Sequence, residues 1–534
     1  MRFIKLTGLS TMIISSLFFN SSCKKNLEEH PYSSISSVQV FTNEDGLNKA
    51  TLGIYQAYVE TWPTTWWRFG AAETGHQYST QGQFGDSFFD SYNKFVTTPS
   101  TNTGGELDAI YAQDYKMISR ANTVIANATV AVKDTSIANK YIAEARFLRA
   151  FAYFDLARNF GGVPIVNQPI TSLAQSGLIN GKRATLQATY DFIVADMLYA
   201  ISDLPDKRTG ADVGRVSMGV AKAFLGKIYL TMAGKPLNAS GYYQKAINML
   251  TQVVGGASES KYNFALMPNF PDVFSNNNKR NAEILLVFTN FYNATAAGSG
   301  VGSIWPFFLG GRGLVNTDEQ SQAGVTYKFY QLFGSGDTRR DFTCVRSYST
   351  SGNADVAKAG DSIVYNQVRL RYIDSTNHQV FGNTTVNQGI VYGKFDRTPR
   401  GSGVVPWGYP IDMVQLRFSD VLLCLAEADI ETGDLANALQ LINRVRTRAH
   451  ATPYNDLANM EARVRLERRL ELTAEFTTVY DIRRWGTLQS EISAEVPSQV
   501  VGGIVGTYSA KLELYPIPQH EIDVNPNLTQ NPGY

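Results

Sequence analysis

The sequence predicts a mainly α-helical protein. Helical pairs of the tetratricopeptide type would form a scaffold, with long loops and a few short strands packed on it. Three blocks of helical periodicity support this prediction, and a long region between them is rich in Gly, Asn, Ser and aromatic residues instead. Of the 534 residues, 44% are apolar and 18% are charged, so the chain can bury a large core and does not have the composition of a disordered protein.

The first periodic block predicts a buried helix. Its apolar residues recur at steps of four and three, at Tyr141, Ala145, Leu148, Ala152 and Leu156. Phe147, Phe151 and Phe154 lie on an adjacent face, and a helix that is apolar on most sides belongs inside a protein. The Gly-Gly-Val-Pro sequence at 161–164 is expected to end this helix.

The second and third blocks predict helical pairs. Leu225-Gly226-x-x-Tyr229 matches the first-helix signature of a tetratricopeptide repeat, and Ala246 and Leu250 supply the spacing of its second helix. In the third block, 418–449, a Gly-Asp turn at 433–434 separates two helical stretches. The repeats are degenerate and far apart in sequence, so a regular superhelix is not expected.

The region 262–405 predicts short strands within ordered, functional loops. Glu283-Ile-Leu-Leu-Val-Phe288 has the composition of a buried strand, and 362–374 and 389–396 alternate weakly, as hairpin arms do. Long irregular segments in a compact protein are usually functional or disordered, and the aromatic content here favours function.

The N-terminus predicts secretion and lipid attachment. A basic start and the mostly apolar run 6–19 precede Ser21-Ser22-Cys23, a layout typical of a signal peptide that ends in a lipobox. We therefore expect a signal peptide at 1–22 and a tether at 23–40 that is lipidated on Cys23. The alternative is an ordinary signal peptide with an incidental cysteine.

One domain is expected over residues 41–534, because no linker divides it. Within it, the sequence indicates a tetratricopeptide-rich part at roughly 41–260, a loop-rich ligand-binding part at roughly 261–410 and a C-terminal helical part at 411–534.

Several classes of function find no support in the sequence. The net charge is +1 without a basic block, and the three cysteines have no CxxC spacing. Neither an HExxH nor a complete GxSxG or dinucleotide-binding motif occurs. We therefore expect no nucleic-acid partner, metal, cofactor or catalytic group, although the 47 acidic residues leave the paired carboxylates of a glycosidase open.

The charged residues of the helical blocks predict ion networks and not catalysis, because buried charges must be paired to offset their desolvation. We expect Trp485, at a helix end, to pack in the core. The charged residues are Glu144, Arg146, Arg149, Glu467, Arg468 and Glu471.

Aromatic residues in loops predict a sugar-binding surface, because sugar C–H faces stack on flat rings while amides and charges bind the hydroxyls. For any one tryptophan, a buried packing anchor is an equally good interpretation. Two patches combine these residue types, one with Trp66, Trp67 and Tyr78 and the other with Tyr292, Trp305, Arg312 and Asn316.

Five segments, in order, resemble the SusD/RagB family of nutrient-uptake outer-membrane lipoproteins. The resemblance covers nearly all of the mature chain. The segments are 143–164 (AEARFLRAFAYFDLARNFGGVP), 214–217 (GRVS), 417–428 (RFSDVLLCLAEA), 467–486 (from ERRLEL to YDIRRWG) and the C-terminal 515–534.

The resemblance implies a SusD-like fold, a lipid anchor and a position on the surface of the outer membrane. It also implies a partner, a SusC-like TonB-dependent transporter, to which captured oligosaccharide is delivered. Family binding sites lie in comparable loops without a shared motif, so no individual residue is carried over. The competing interpretations are a surface α-helical glycan-degrading enzyme and a tetratricopeptide-type protein–protein scaffold.

Overall fold

The computed structural model describes most of the helical scaffold and part of the region between its blocks. The described residues are 40–60, 68, 77–79, 97–99, 106–289, 309, 323–325, 327–349, 362–366, 369–373, 380–381, 390–394, 409, 411–494 and 508–534. None of the helices within these ranges combines the length and the apolarity needed to cross a membrane.

Helices dominate the fold, as the sequence predicts. The α-helices are α1 Glu44–Tyr58, α2 Glu106–Ala131, α3 Thr135–Phe160, α4 Ser176–Ile179, α5 Leu186–Asp203, α6 Met218–Ala233, α7 Tyr242–Leu250, α8 Gly256–Tyr262, α9 Tyr327–Tyr330, α10 Thr338–Thr343, α11 Phe418–Thr432, α12 Leu435–Arg448, α13 Met460–Leu472, α14 Thr478–Trp485, α15 Leu488–Ala494 and α16 Gln519–Val524. Single 3₁₀ turns occur at Gly210–Asp212, Phe270–Val273, Asn276–Asn278 and Ala510–Glu513.

The strands are short and form three small antiparallel sheets, ordered β1-β3-β9-β4, β10-β2 and β5-β6-β7-β8. They confirm the strands predicted near 283–288, 362–374 and 389–396. The strands are β1 Gln77–Ser79, β2 Ile284–Phe288, β3 Ala323–Val325, β4 Cys344–Val345, β5 Ser347–Ser349, β6 Ser362–Asn366, β7 Arg369–Ile373, β8 Val380–Phe381, β9 Ile390–Tyr392 and β10 Met413–Arg417.

Helix α3 is the buried helix that the first block predicts, and it packs between α2 and α5. The Asp134 side chain caps its first turn by accepting from the Ser136 N–H. Gly161 ends it with a φ of +79°, a left-handed value that suits glycine.

Both predicted helical pairs are present. In the α6–α7 pair, a Cβ atom at Gly226 would overlap the Leu250 side chain, so the glycine permits the close approach of the two helices. In the α11–α12 pair, Gly433 makes the turn with a φ of +95°. Helix α11 also packs on α6 and α7, which stacks the two pairs on each other.

One hydrophobic cluster runs through the described parts of the chain, from Phe41 to Leu528. The α2, α3 and α6 helices, strands β2 and β10, and the C-terminal residues Tyr515 and Ile517 all contribute to it. Cys344 and Cys424 are buried as free thiols.

A fully buried set of charges, here called the Arg–Glu network, joins the strands to the C-terminal helices. Arg417, at the end of β10, contacts Glu283 beside β2 and donates to Glu471 on α13 at 2.9 Å. Arg339, on α10, donates to Glu467 at 2.7 Å and to Glu471 at 2.9 Å. The remaining members of the network are Asp337, Lys394, Arg448 and Glu475.

The network keeps Glu471 ionised. Burial by itself would raise the pKa of Glu471, but the charges of Arg448, Arg417 and Arg339 outweigh it and hold that pKa well below its ordinary value. Each charge is therefore compensated within hydrogen-bonding distance, as buried ions require.

The other predicted ion networks are also present. Arg468 bonds Asp420 and Asp481, each at 2.8 Å, and Arg149 bonds Asp196 at 2.7 Å. The expectation for Trp485 is wrong in part: its ring is only half-buried. The indole N–H donates to Glu427 at 2.9 Å, and arginines lie over the ring, because it sits at the exposed end of α14.

Two neighbouring arginines give a matched test of the Arg–Glu network. Arg339→Met leaves three buried carboxylates short of a partner, so we expect a loss of about 3–5 kcal/mol in the free energy of unfolding. Arg340 pairs with Asp341 at the surface, so Arg340→Met should cost less than about 1 kcal/mol. Urea unfolding followed by circular dichroism measures both, and equal losses would show that the network does not hold the fold.

Candidate functional site

A cleft of about 510 Å³ lies beside α1. Its volume lies in the range of small-molecule sites. We call it the α1 cleft. Its described lining comes from α1, the loop before α6, and the two ends of β2: Asn48, Leu52, Tyr55, Gln56, Val59, residues 211–215, Arg280, Val287 and Thr289.

One wall of the α1 cleft is a stripe of α1 that alternates amide and apolar groups. Asn48, Leu52 and Gln56 are four residues apart, so they share one face of the helix. Leu52 is 44% exposed, unusual for a leucine beside a packed core. The stripe therefore offers a ligand an apolar contact flanked by amide groups.

The floor of the cleft is a rigid ion cluster around Glu144. Arg215 donates two hydrogen bonds to Glu144, at 2.9 and 2.6 Å, and a third to the Asn48 side-chain oxygen at 2.8 Å. The Tyr55 hydroxyl donates to Glu144 at 2.7 Å and Arg208 donates at 2.8 Å. Glu144 is thus saturated by structural partners, as the sequence predicts for it.

The pKa values of the floor groups agree with that structural role. Burial, and then the charge of Glu144, raise the pKa of the Tyr55 hydroxyl well above its ordinary value. For Arg215, burial alone would lower the pKa, but hydrogen bonds to Glu144 and its charge raise it. Neither group can exchange a proton near neutral pH, so the floor is not an acid–base pair.

A glycosidase needs two carboxylates across the scissile bond. Among the described residues that line the α1 cleft there is one carboxylate, Asp212, and it pairs with Arg215 at 2.8 Å.

Ion pairs fix the two residues that flank the stretch 61–67, which holds Trp66 and Trp67. At its start, Glu60 accepts from Lys116 at 2.7 Å and from Arg120 at 3.2 Å, both on α2. At its end, Arg68 is buried and donates to Asp114 at 2.7 Å, and it also contacts Asp155.

Tyr58 connects Arg68 to the end of β2. The Arg68 guanidinium lies 4.1 Å above the Tyr58 ring, and the Phe288 ring lies 4.3 Å from it, measured between centroids. Phe288 is the last residue of β2, and Thr289 after it lines the cleft. The chain therefore enters the stretch that holds Tyr292 and Trp305 from the same corner.

Sheet pairing brings the far sides of the two patches together as well. Tyr78 on β1 lies opposite Gly324 on β3 in antiparallel register. Strand β1 contains Tyr78 of the first patch, and β3 follows the second patch in sequence, so one short ladder links the segments that the sequence singled out separately.

The structure describes only the backbone position of Tyr78 among the predicted ligand-binding residues. The other predicted site residues lie outside the described residues: Cys23, Trp66, Trp67, Tyr292, Trp305, Arg312 and Asn316. Sequence reasoning missed the amide stripe, although its four-residue spacing was visible, and it missed Arg280, for which no sequence signal exists.

A second pocket, between Val273, Ile284 and Phe476, has a volume of only about 40 Å³. That is space for a few water molecules and not for a sugar ring. Of these two pockets, the α1 cleft is the candidate site.

The fold and this site define a class: a helical-pair scaffold that presents an open cleft. Family comparison agrees. A family model described as "SusD family" matches residues 234–534, and one described as "Starch-binding associating with outer membrane" matches residues 25–230. The chain belongs to the SusD family.

Individual relatives match this chain over most of its length and over most of their own. A SusD-like protein P2 of Formosa agariphila is 28% identical over 80% of this chain and 81% of its own. A SusD-like protein of Bacteroides ovatus is 23% identical over 91% of this chain and 83% of its own.

Solved structures share the fold. A laminarin binding SusD-like protein is 25% identical, with a TM-score of 0.71 over 92% of this chain and all of its own. Surface glycan-binding protein A of Bacteroides thetaiotaomicron, solved with laminarihexaose, is 18% identical with a TM-score of 0.72 over 92% of this chain and all of its own.

Proposed function

We propose that this protein captures an oligosaccharide at the mouth of the α1 cleft, without cleaving it. The observation that carries the proposal is the meeting of three chain points at Tyr58: the two fixed ends of the stretch with Trp66 and Trp67, and the end of β2. Loop aromatics beside an amide-lined cleft are what sugar rings and hydroxyls bind.

Covalent geometry supports a shared site for the two patches. Trp67 is bonded directly to Arg68, and Tyr292 follows Thr289 by three residues, at most about 11 Å of extended chain. We therefore propose that both rings contribute to one site. The laminarin-binding relative adds support from the same fold, and the single, paired carboxylate of the described lining favours capture over hydrolysis.

We also propose delivery of the captured sugar to a SusC-like TonB-dependent transporter, with the chain anchored to the outer membrane through Cys23. The family description, which names association with the outer membrane, supports this location. We propose that the anchor and the tether precede a single domain at 41–534. The hydrophobic core, which continues from Phe41 to Leu528, supports a single domain.

Removing the loop rings tests the capture site. We expect Trp66→Ala, Trp67→Ala and Trp305→Ala each to weaken oligosaccharide binding about ten- to a hundredfold, because a stacked aromatic anchor is worth about 1–3 kcal/mol. Calorimetry against neutral and acidic plant and algal oligosaccharides, beginning with laminarihexaose, measures the change.

Trp485→Phe is the matched control, because that ring lies on α14 against arginines and should leave affinity unchanged. Chromatography of the ligand after binding separates capture from hydrolysis. Shortened products would place the protein among enzymes, and unchanged affinity in all three folded loop variants would locate the site elsewhere.

Lipid attachment is tested at Cys23. In cells fed a clickable fatty acid, the parent chain should carry the label and sediment with outer membranes. Cys23→Ala should lose the label and leave the membrane fraction, because acyl chains supply the attachment. A Cys424→Ala control removes a buried thiol and should keep both properties; a labelled Cys23→Ala variant would disprove the assignment.

The transporter is tested by gentle detergent extraction with a tag on the C-terminus of this protein. We expect a β-barrel protein much larger than this chain to co-purify, and mass spectrometry to identify it as TonB-dependent. The result that counts against the proposal is recovery of this protein alone across several detergent strengths.

A further inference from the structure

Arg280 occupies a strained backbone position in the wall of the α1 cleft. Its φ of +59° lies in the left-handed region, which costs an arginine free energy and persists only where neighbours enforce it. Here they do. Lys279 pairs with Asp412 at 2.9 Å, and the Asn281 side chain donates to the carbonyls of Val273 and Asn278 at 3.0 and 2.9 Å.

The side chain of Arg280 is held against the opposite loop. A Cβ atom at Gly214 would lie 3.0 Å from the Arg280 Nε and 3.2 Å from its Cδ. Gly214 has a φ of +102°, and its lack of a side chain makes room for the guanidinium. The cation is therefore positioned on the cleft wall.

Arg280 is exposed, and it forms neither an ion pair nor a hydrogen bond with another described residue. The other cations nearby are compensated: Arg215 by Glu144 and Asp212, and Lys279 by Asp412. The described wall of the cleft thus carries one uncompensated positive charge, placed at a cost in backbone strain.

The Arg280 guanidinium is planar, and its N–H groups can donate two parallel hydrogen bonds to one anion. Its fork matches two oxygens of a carboxylate or a sulfate. Across the cleft, the Asn48 side-chain oxygen is taken by Arg215, which leaves the N–H donors of that amide for a ligand. Leu52 lies between Asn48 and Gln56 and can contact the apolar face of a sugar ring.

We infer that the α1 cleft selects acidic glycans, with a uronate carboxylate or a sulfate ester on Arg280 and the neutral ring face along Leu52. This inference rests on the proposed capture of oligosaccharides and adds the chemical class of the ligand. The shared chemistry is a planar or tetrahedral oxyanion carried on a sugar.

Matched ligands test it. Calorimetry compares oligogalacturonate with the same oligomer after carboxyl reduction, and sulfated with desulfated carrageenan oligosaccharide. We expect at least one acidic ligand to bind about ten- to a hundredfold more tightly than its neutral counterpart, because a hydrogen bond to a charged group is stronger. Whether the uronate or the sulfate ligand shows the preference identifies the oxyanion.

Arg280→Gln should abolish that preference and leave affinity for the neutral counterpart unchanged. Arg280→Gly should do the same, and because glycine accepts the left-handed φ, this variant keeps the fold if glutamine does not. Lys182→Gln, an exposed lysine outside the cleft lining, is the charge-matched control and should keep the preference.

The outcomes separate this inference from the proposed function. Equal binding of acidic and neutral ligands by the parent, or an acidic preference that survives both Arg280 variants, overturns the inference and leaves glycan capture standing. Binding of no oligosaccharide in the panels, acidic or neutral, overturns both.

Discussion

The Arg–Glu network is the interaction on which the rest of this structure depends. Its arginines sit at the ends of β10, α12 and α10, and its acids lie beside β2 and on α13. These elements come from chain segments up to about two hundred residues apart, and apolar packing alone would leave their relative register loosely specified. Buried charges that must each find a partner admit one arrangement, because any slip leaves a desolvated ion unpaired.

That constraint reaches the α1 cleft through β2. Glu283, in the network, immediately precedes β2, and Phe288 ends it against Tyr58. The strand is only five residues long, so fixing its first end also fixes the second. The corner where Tyr58, Arg68 and Phe288 meet is thus set by charges at the other end of one short strand.

In this arrangement the helical pairs and the loops between them have different roles. The helical pairs supply rigidity through close approach at small residues such as Gly226, and loops between them are free to vary in the chemistry they present. Ion pairs under the cleft, such as Arg215 with Glu144, hold its floor and leave the amide stripe and Arg280 to face a ligand.

The helical part of the fold could be predicted from sequence because its signals are local. Apolar spacing located α3, α6 and α11, and glycines with positive φ marked the ends of α3 and α11. The strand β2 was also visible, as a short run of branched and aromatic residues between turn signals. Which strand pairs with it was not, because pairing with β10 joins residues more than a hundred positions apart.

The candidate site also has features that the sequence predicts and features that only the fold reveals. Sequence reasoning selected loop aromatics by residue type, and the β1–β3 ladder and the contacts of Tyr58 supply the tertiary links between the two patches. Arg280 could not be found from sequence, because its proposed role depends on a left-handed φ, on a glycine from another loop beside it and on the lack of an ion pair with any described residue. By itself the sequence determined the family, the helices and the charges that must be paired, since these depend on residue type and local spacing. Only the tertiary structure decided which charges of the described residues are paired, because that depends on what the folded chain places around them.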